Sequence, residues 1–173
     1  MKLVKISVLG GAVAAALVMG SAQATGSNTV ELQSAVTVPT KCTNLAAPKI
    51  EFPAYDPDAV SDTTQTTTVT VRCTKGSVFS INASAGNSGN SGQRQLHSTA
   101  TDQLHTADLN YNLYVGSSST VWDETDSGKL SGTGAGLLAD NLKQSFTVTG
   151  KITKGQDVPD GEYKDTVIVT VTY

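Results

Sequence analysis

Two histidines, one acidic turn and several glycine clusters are the first places in this sequence to look for chemistry. His97 and His105 are its only histidines, in a polar stretch with Asp102 and Asp108 nearby. Together they could bind a metal, but their separation matches no ligand spacing of a structural or catalytic site, and they read as surface residues. Asp123, Glu124 and Asp126 before Gly128 faintly suggest a calcium loop. The remaining Asp positions and the distal Glu of an EF-hand are absent, which leaves a solvated acidic turn. Gly86, Gly89 and Gly92 lack the Lys-Ser/Thr pair of a phosphate loop. Gly132, Gly134 and Gly136 open no dinucleotide-binding helix. No G-x-S-x-G nucleophile elbow occurs. Asn82-Ala83-Ser84 is a glycosylation sequon by letter only. Trp122 and the tyrosines could line a sugar site, but lone aromatics in a sandwich usually belong to the core or an edge. These absences predict a protein that is not an enzyme, with no cofactor, no metal and no small-molecule substrate.

The cysteines are more informative. Cys42 and Cys73 are the only two, and both follow an export signal. Lys2 and Lys5 form a positive start, an apolar run covers residues 6–19, and Ala22-Gln23-Ala24 is a cleavage site. Residues 1–24 therefore read as a signal peptide, with the mature chain starting at Thr25. The apolar run is too short for a comfortable membrane span. An even cysteine count in an oxidising compartment predicts one Cys42–Cys73 disulfide, the alternative being two free thiols. The bridge would close a loop of about 32 residues, roughly 3–4 kcal/mol in the chain-entropy view. A metal pair is disfavoured because neither cysteine has a C-x-x-C partner. Formal charge is −3 for the whole chain, and the two signal lysines leave on cleavage. With no basic stripe, neither nucleic acid nor an anionic membrane surface is a fitting partner.

The elements that would position these residues are strands. Past the signal, Thr, Ser, Gly and Val dominate, which favours strands and loops. Apolar residues recur with period two in six segments: Val30, Leu32, Val36, Val38; Val69, Val71, Cys73; Phe79, Ile81, Ala83; Leu109, Tyr111, Leu113, Val115; Phe146, Val148, Ile152; and Tyr163, Val167, Val169, Val171, Tyr173. Such alternation predicts half-buried antiparallel strands, and several of them with turn residues between predict a β-sandwich. Cys42 continues the row of Val36 and Val38, and Cys73 that of Val69 and Val71. Both would point inward and could bridge if their strands are adjacent. The stretch 85–93 is a Gly/Ser/Asn loop, as are 116–120 and 127–136. One short helical turn fits 136–143, around Leu137, Leu138 and Leu142.

The two ends carry the functional question. An alternating segment opens the mature chain, and the last predicted strand, residues 163–173, runs to the final residue. Either the sandwich is complete, with the N-terminal segment pairing inside its own chain, or it is one strand short.

An ordered set of motifs then points to a family. Tyr55-Asp56-Pro57 follows the first cysteine, and Cys73-Thr74-Lys75-Gly76 carries the second. Arg94-Gln95-Leu96 leads to Leu109-Asn110-Tyr111-Asn112-Leu113-Tyr114, and Trp122 follows. Residues 155–167, from Gly155-Gln156-Asp157 through Gly161-Glu162-Tyr163-Lys164-Asp165 to Thr166-Val167, enter the terminal strand. In order and spacing this resembles the spore coat U domain of archaic chaperone–usher pilins, over nearly the whole mature chain. It departs at Phe52-Pro53-Ala54, where many members have Gly after the Phe.

The resemblance implies an all-β, incomplete immunoglobulin-like sandwich of six strands, completed by a donor strand from a neighbouring subunit. It implies a donor segment over 25–38, with Val30, Leu32, Ser34, Val36 and Val38 in the inward row, and a pilin domain over 39–173. The acceptor groove would lie along the terminal strand, at Tyr163, Val167, Val169, Val171 and Tyr173. Ser34 breaks the bulky row and would mark a shallow place where exchange begins. The boundary between the donor segment and the domain's own first strand is left open at Val36 and Val38. Implied partners are identical or related pilin subunits in a head-to-tail polymer, a periplasmic chaperone and an outer-membrane usher. The implied location is an extracellular pilus reached through the periplasm, used in attachment and biofilm formation. Alternatives are a secreted spore-coat or matrix protein and a small carbohydrate-binding module.

Overall fold

The structure is a computed structural model that describes residues 26–102 and 104–173. The expected signal peptide, 1–24, lies outside the described residues. The chain divides into two units, residues 1–36 and 37–173. In the first, residues 26–36 form no strand and are exposed throughout. Period-two spacing over 30–38 is therefore present in sequence without a ladder in the single chain. Alternation specifies which side chains share a face, and only backbone pairing makes the strand.

Among its described residues the second unit holds nine strands. These are β1 (Cys42–Ala46), β2 (Thr63–Cys73), β3 (Val78–Ala83), β4 (Arg94–Ser98), β5 (Asp108–Val115), β6 (Leu130–Thr133), β7 (Gln144–Ile152), β8 (Tyr163–Lys164) and β9 (Val169–Thr172). They form a six-stranded sheet in the order β1-β2-β7-β5-β4-β8 and a three-stranded sheet in the order β6-β3-β9. The result is the expected all-β, immunoglobulin-like two-sheet sandwich. No α-helix occurs among the described residues, and the helical turn expected over 136–143 is a 3-10 turn at Asp140–Leu142.

The predicted inward rows form the core. Val69, Val71 and Cys73 of β2, Phe79, Ile81 and Ala83 of β3, Leu109, Tyr111 and Leu113 of β5, and Val148 and Ile152 of β7 are all buried. Gly150 keeps the β7 row inward where a larger residue has no room. A Cβ there would meet the Phe52 ring at 2.6 Å.

Strand number and extent differ from the expectation of six. β1, β4 and β6 are short and alternate weakly, so their pairing is set by neighbours rather than by their own pattern. The terminal element is two strands rather than one running from 163 to 173. β8 pairs with β4 in the larger sheet, and β9 pairs with β3 in the smaller. Residues 165–168 cross between the sheets, so the single strand is corrected to a sheet-switching pair. Its cause is local: Asp165 and Ile168 hydrogen-bond to the 84–87 turn instead of continuing the β4 ladder.

Cys42 and Cys73 are bonded and sit opposite each other in the β1–β2 ladder, their Cα atoms 4.0 Å apart. The adjacent-strand condition for the bridge is met. β1 itself is thinly paired, with an irregularity between Thr43 and Ala46. Asn44 there takes φ +54°, a left-handed conformation that Asn tolerates better than most residues.

Candidate functional site

The second unit carries a groove of about 710 Å³ between two chain segments, residues 47–55 and 161–169. Its floor is core: Val69, Leu96, Leu109, Tyr111, Leu113, Trp122 and Ile152 reach it. The 47–55 wall is irregular chain held by side chains. Ile50, Phe52 and Tyr55 pack half-buried against the core. The Tyr55 hydroxyl donates to the Thr153 carbonyl (3.2 Å) and accepts from the Gln156 N–H (2.8 Å). Gln156 in turn bonds the backbone of Asn110 through both side-chain atoms, at 2.8 and 2.9 Å. This substitutes a side chain for a ladder neighbour and fixes the loop beneath the wall.

The other wall is the terminal segment. Tyr163, Val167 and Val169 line the groove, and the Tyr163 hydroxyl donates to the Pro159 carbonyl at 2.7 Å. β9 is the outer strand of its sheet, with β3 on one side only. Its other edge is unpaired among the described residues. An apolar groove beside a free strand edge can take an extended peptide, matching its backbone to the edge and its alternate side chains to the groove.

The structure brings three of the five predicted acceptor residues to the groove. Val171 packs half-buried against the core without lining the opening, and Tyr173 is 57% exposed beyond the end of β9. The five predicted donor residues do not form a site in the single chain. Val30, Leu32, Val36 and Val38 are 91, 94, 89 and 73% exposed, and Ser34 is exposed too. Four large apolar side chains in water on one alternating row are costly unless something covers them.

Two features escaped the sequence reading. Arg94 is fully buried. Its guanidinium donates to the carbonyls of Ser84 (2.7 and 2.9 Å), Ala83 (3.2 Å), Trp122 (2.8 Å) and, at 3.5 Å, Ser91, and to the Asn112 side-chain oxygen (2.7 Å). Burial pushes its pKa down, while nearby Tyr111, Asp165, Asp123 and Glu124 oppose that. Its fork geometry satisfies backbone acceptors from three separate segments. The second feature is Asp165, which accepts from the Tyr111 hydroxyl (2.7 Å) and from the N–H groups of Asn87 (2.8 Å) and Thr166 (2.7 Å). The available signal was a carboxylate on the inward odd row between Tyr163 and Val167. A charge at such a position needs dedicated donors.

The weaker candidates resolve into local structure. His97 Nδ1 lies 2.5 Å from Asp108 Oδ1, and His105 Nδ1 lies 2.6 Å from Asp102 Oδ1, with Asp160 3.6 Å from its other ring nitrogen. Asp123 accepts from the Thr125 N–H and hydroxyl, and Asp126 pairs with Lys129. No group of three or more His, Cys, Asp or Glu converges as a metal site among the described residues.

Comparison with known proteins agrees with this architecture. Protein U of Myxococcus xanthus is 31% identical over 137 residues, covering 72% of this chain and 71% of the relative. Among solved structures, the chain resembles one from the CsuC–CsuE chaperone–tip adhesion subunit pre-assembly complex of the archaic chaperone–usher Csu pili of Acinetobacter baumannii. The TM-score is 0.56 at 22% identity, over 79% of this chain and 41% of that one, a likeness of fold. This chain thus spans less than half the length of the solved chain it matches. Residues 27–170 match the family model of the Spore Coat Protein U domain, and the chain belongs to that family.

Proposed function

We propose that this protein is an exported structural subunit of a pilus, and that each copy donates residues 28–38 to the groove of the next. The observation that carries the reading is the groove itself. It opens onto core side chains, and one of its walls leads into a strand with a free edge. The N-terminal segment has the matching chemistry. Its apolar row is exposed, and an extended chain from Val30 to Val38 is about 27 Å long. Burying Val30, Leu32, Val36 and Val38 would contribute about 6–12 kcal/mol before the cost of ordering the segment. A slip of one residue would turn the whole row outward, so the register is self-correcting. A head-to-tail contact of this kind does not close and builds a fibre.

On this reading residues 1–24 are removed on export, 25–38 are the donor segment and 39–173 the acceptor domain. An apolar groove beside a strand edge calls for a periplasmic chaperone before assembly and an outer-membrane usher to place each subunit. The relative in a chaperone–subunit complex from archaic pili supports the chaperone. Attachment and biofilm formation would be the work of the finished fibre. The family's description favours one other reading, a secreted coat protein.

The test is a pair of chains, one complete after residue 24 and one also lacking 28–38. The complete chain forms fibres by electron microscopy, while the shortened chain folds, captures a synthetic 28–38 peptide and forms none. A complete chain that stays a stable monomer, its 28–38 segment protected in its own sheet, overturns the proposal. A coat protein would assemble equally well without the segment.

A further inference from the structure

We propose that Tyr111 and Asp165 are positioning residues that set the width of the groove, and so select the bulk of the side chains it accepts; this rests on the strand-accepting reading above. Tyr111, on the floor, touches both walls. Its ring meets Phe52 of the 47–55 wall edge-to-face, with centroids 6.0 Å apart at an interplanar angle of 78°. Its hydroxyl donates to Asp165 Oδ2 of the 161–169 wall at 2.7 Å. The phenol is buried, and burial together with the Asp165 carboxylate pushes its pKa far above the ordinary value. It stays a donor across the working pH range.

Asp165 is itself held from a third direction. Its Oδ1 accepts from the Asn87 N–H in the 84–89 turn and from its own neighbour Thr166. Gly86 leaves room for this carboxylate, since a Cβ there would collide with it. Two further bonds complete the crossing: the Ile168 N–H donates to the Ser84 hydroxyl, and the Ser84 N–H to the Ile168 carbonyl, both at 2.9 Å. The wall is thus fixed where it leaves β4 for β3, and the fixing group connects through one rigid ring to the opposite wall. Arg94 shows what a purely stabilising buried polar group does here. It binds carbonyls of the closed core and is absent from the groove lining.

The test uses the exported chain lacking residues 28–38, the shortened chain described above, and two labelled peptides: one copying residues 28–38, the other carrying Leu32→Trp. A rigid groove captures the native peptide better by about tenfold, the low end of what steric selection in an apolar pocket delivers. In Tyr111→Phe and in Asp165→Asn this ratio falls toward one. In the double variant it falls no further, because both changes break the same bond. General destabilisation lowers capture of both peptides together and leaves their ratio unchanged. Should Asp165→Asn not fold, Phe52→Leu removes the contact at the opposite wall and gives the same loss of selectivity. A wild-type ratio in the folded variants overturns the inference. A shortened chain with no further substitution that folds but captures neither peptide overturns the strand-accepting reading and the inference with it.

Discussion

β3 and β9 are partners in one small sheet, paired residue for residue from Ser80↔Thr172 to Ala83↔Val169. Both alternate apolar and polar residues. On β3 the inward residues Phe79, Ile81 and Ala83 are 2, 0 and 0% exposed. On β9 the equivalent residues, Val169 and Val171, are only half-buried. The side chains are of the same kind, and the difference lies in the neighbours. β3 has a strand on each side, whereas β9 has one. Apolar alternation shows which way a strand faces, and the strand order decides whether that face is covered. One part of this sandwich is sealed by its own residues, and another keeps an unpaired strand edge among the described residues.

The sharpest way to probe that contrast is to damage the sealed part. Arg94→Ala strands the carbonyls of Ala83, Ser84 and Trp122 in the core and leaves the Asn112 oxygen with only the Leu113 N–H. We expect a loss of about 4 kcal/mol or more, since each unmet buried acceptor costs about 1–3 kcal/mol. Urea denaturation should show the same loss with the groove empty or peptide-filled. A loss seen only in the filled form would mean the two parts are not separate. Next in size is Cys42→Ser with Cys73→Ser. The bridge spans a sequence separation of 31, and losing it should cost about 3–4 kcal/mol in equilibrium unfolding.

Val169→Thr addresses the open part. In the empty subunit, where Val169 is half-buried, it should cost less than about 1 kcal/mol. In the peptide-filled subunit it should cost about 1–2 kcal/mol, because the hydroxyl is then buried without a partner. Equal costs would erase the distinction drawn from β3 and β9. The smallest effect belongs to the exposed loop at 99–107. The Asp102 hydrogen bond raises the His105 pKa above its ordinary 6.5, with Asp160 adding to it, and His105 lowers that of Asp102. The His105 contribution is full below pH 6.5 and fades as pH rises through the raised value. That of Asp102 is present above its ordinary 3.8 and fades as pH falls through the lowered value. Amide exchange in this loop, corrected for intrinsic pH dependence, should be faster at pH 8 than at pH 6, and His105→Asn should remove the difference.

Much of the core was legible in the sequence because it follows period two. Val69, Val71, Phe79, Ile81 and Leu113 face inward as their spacing requires, and Cys42 finds Cys73 on the next strand. The terminal segment was misread as one strand because its odd row keeps parity across the break. Tyr163, Val167 and Val169 all face the groove although they belong to different sheets or to the crossing between them. Only Asp165 in that row betrays the switch. Arg94 was invisible in its role, because its acceptors are backbone carbonyls distant in sequence. No local pattern encodes which carbonyls a fold will leave unpaired. The 26–41 segment shows the opposite limit. Its pattern is that of a strand, yet nothing in one copy of the chain makes it one.

Cys42 is also the first residue of β1, the point at which the chain coming from residues 26–41 joins the sheet. A pull on that incoming segment therefore enters the domain at a covalent bond. β1 alone would peel from β2 one weak pair at a time, with its irregular register offering little resistance. With Cys42 fastened to Cys73, the load bypasses β1 and passes straight into an eleven-residue strand held along its length by β7. In a chain of such subunits the tensile path would run through sulfur at every link.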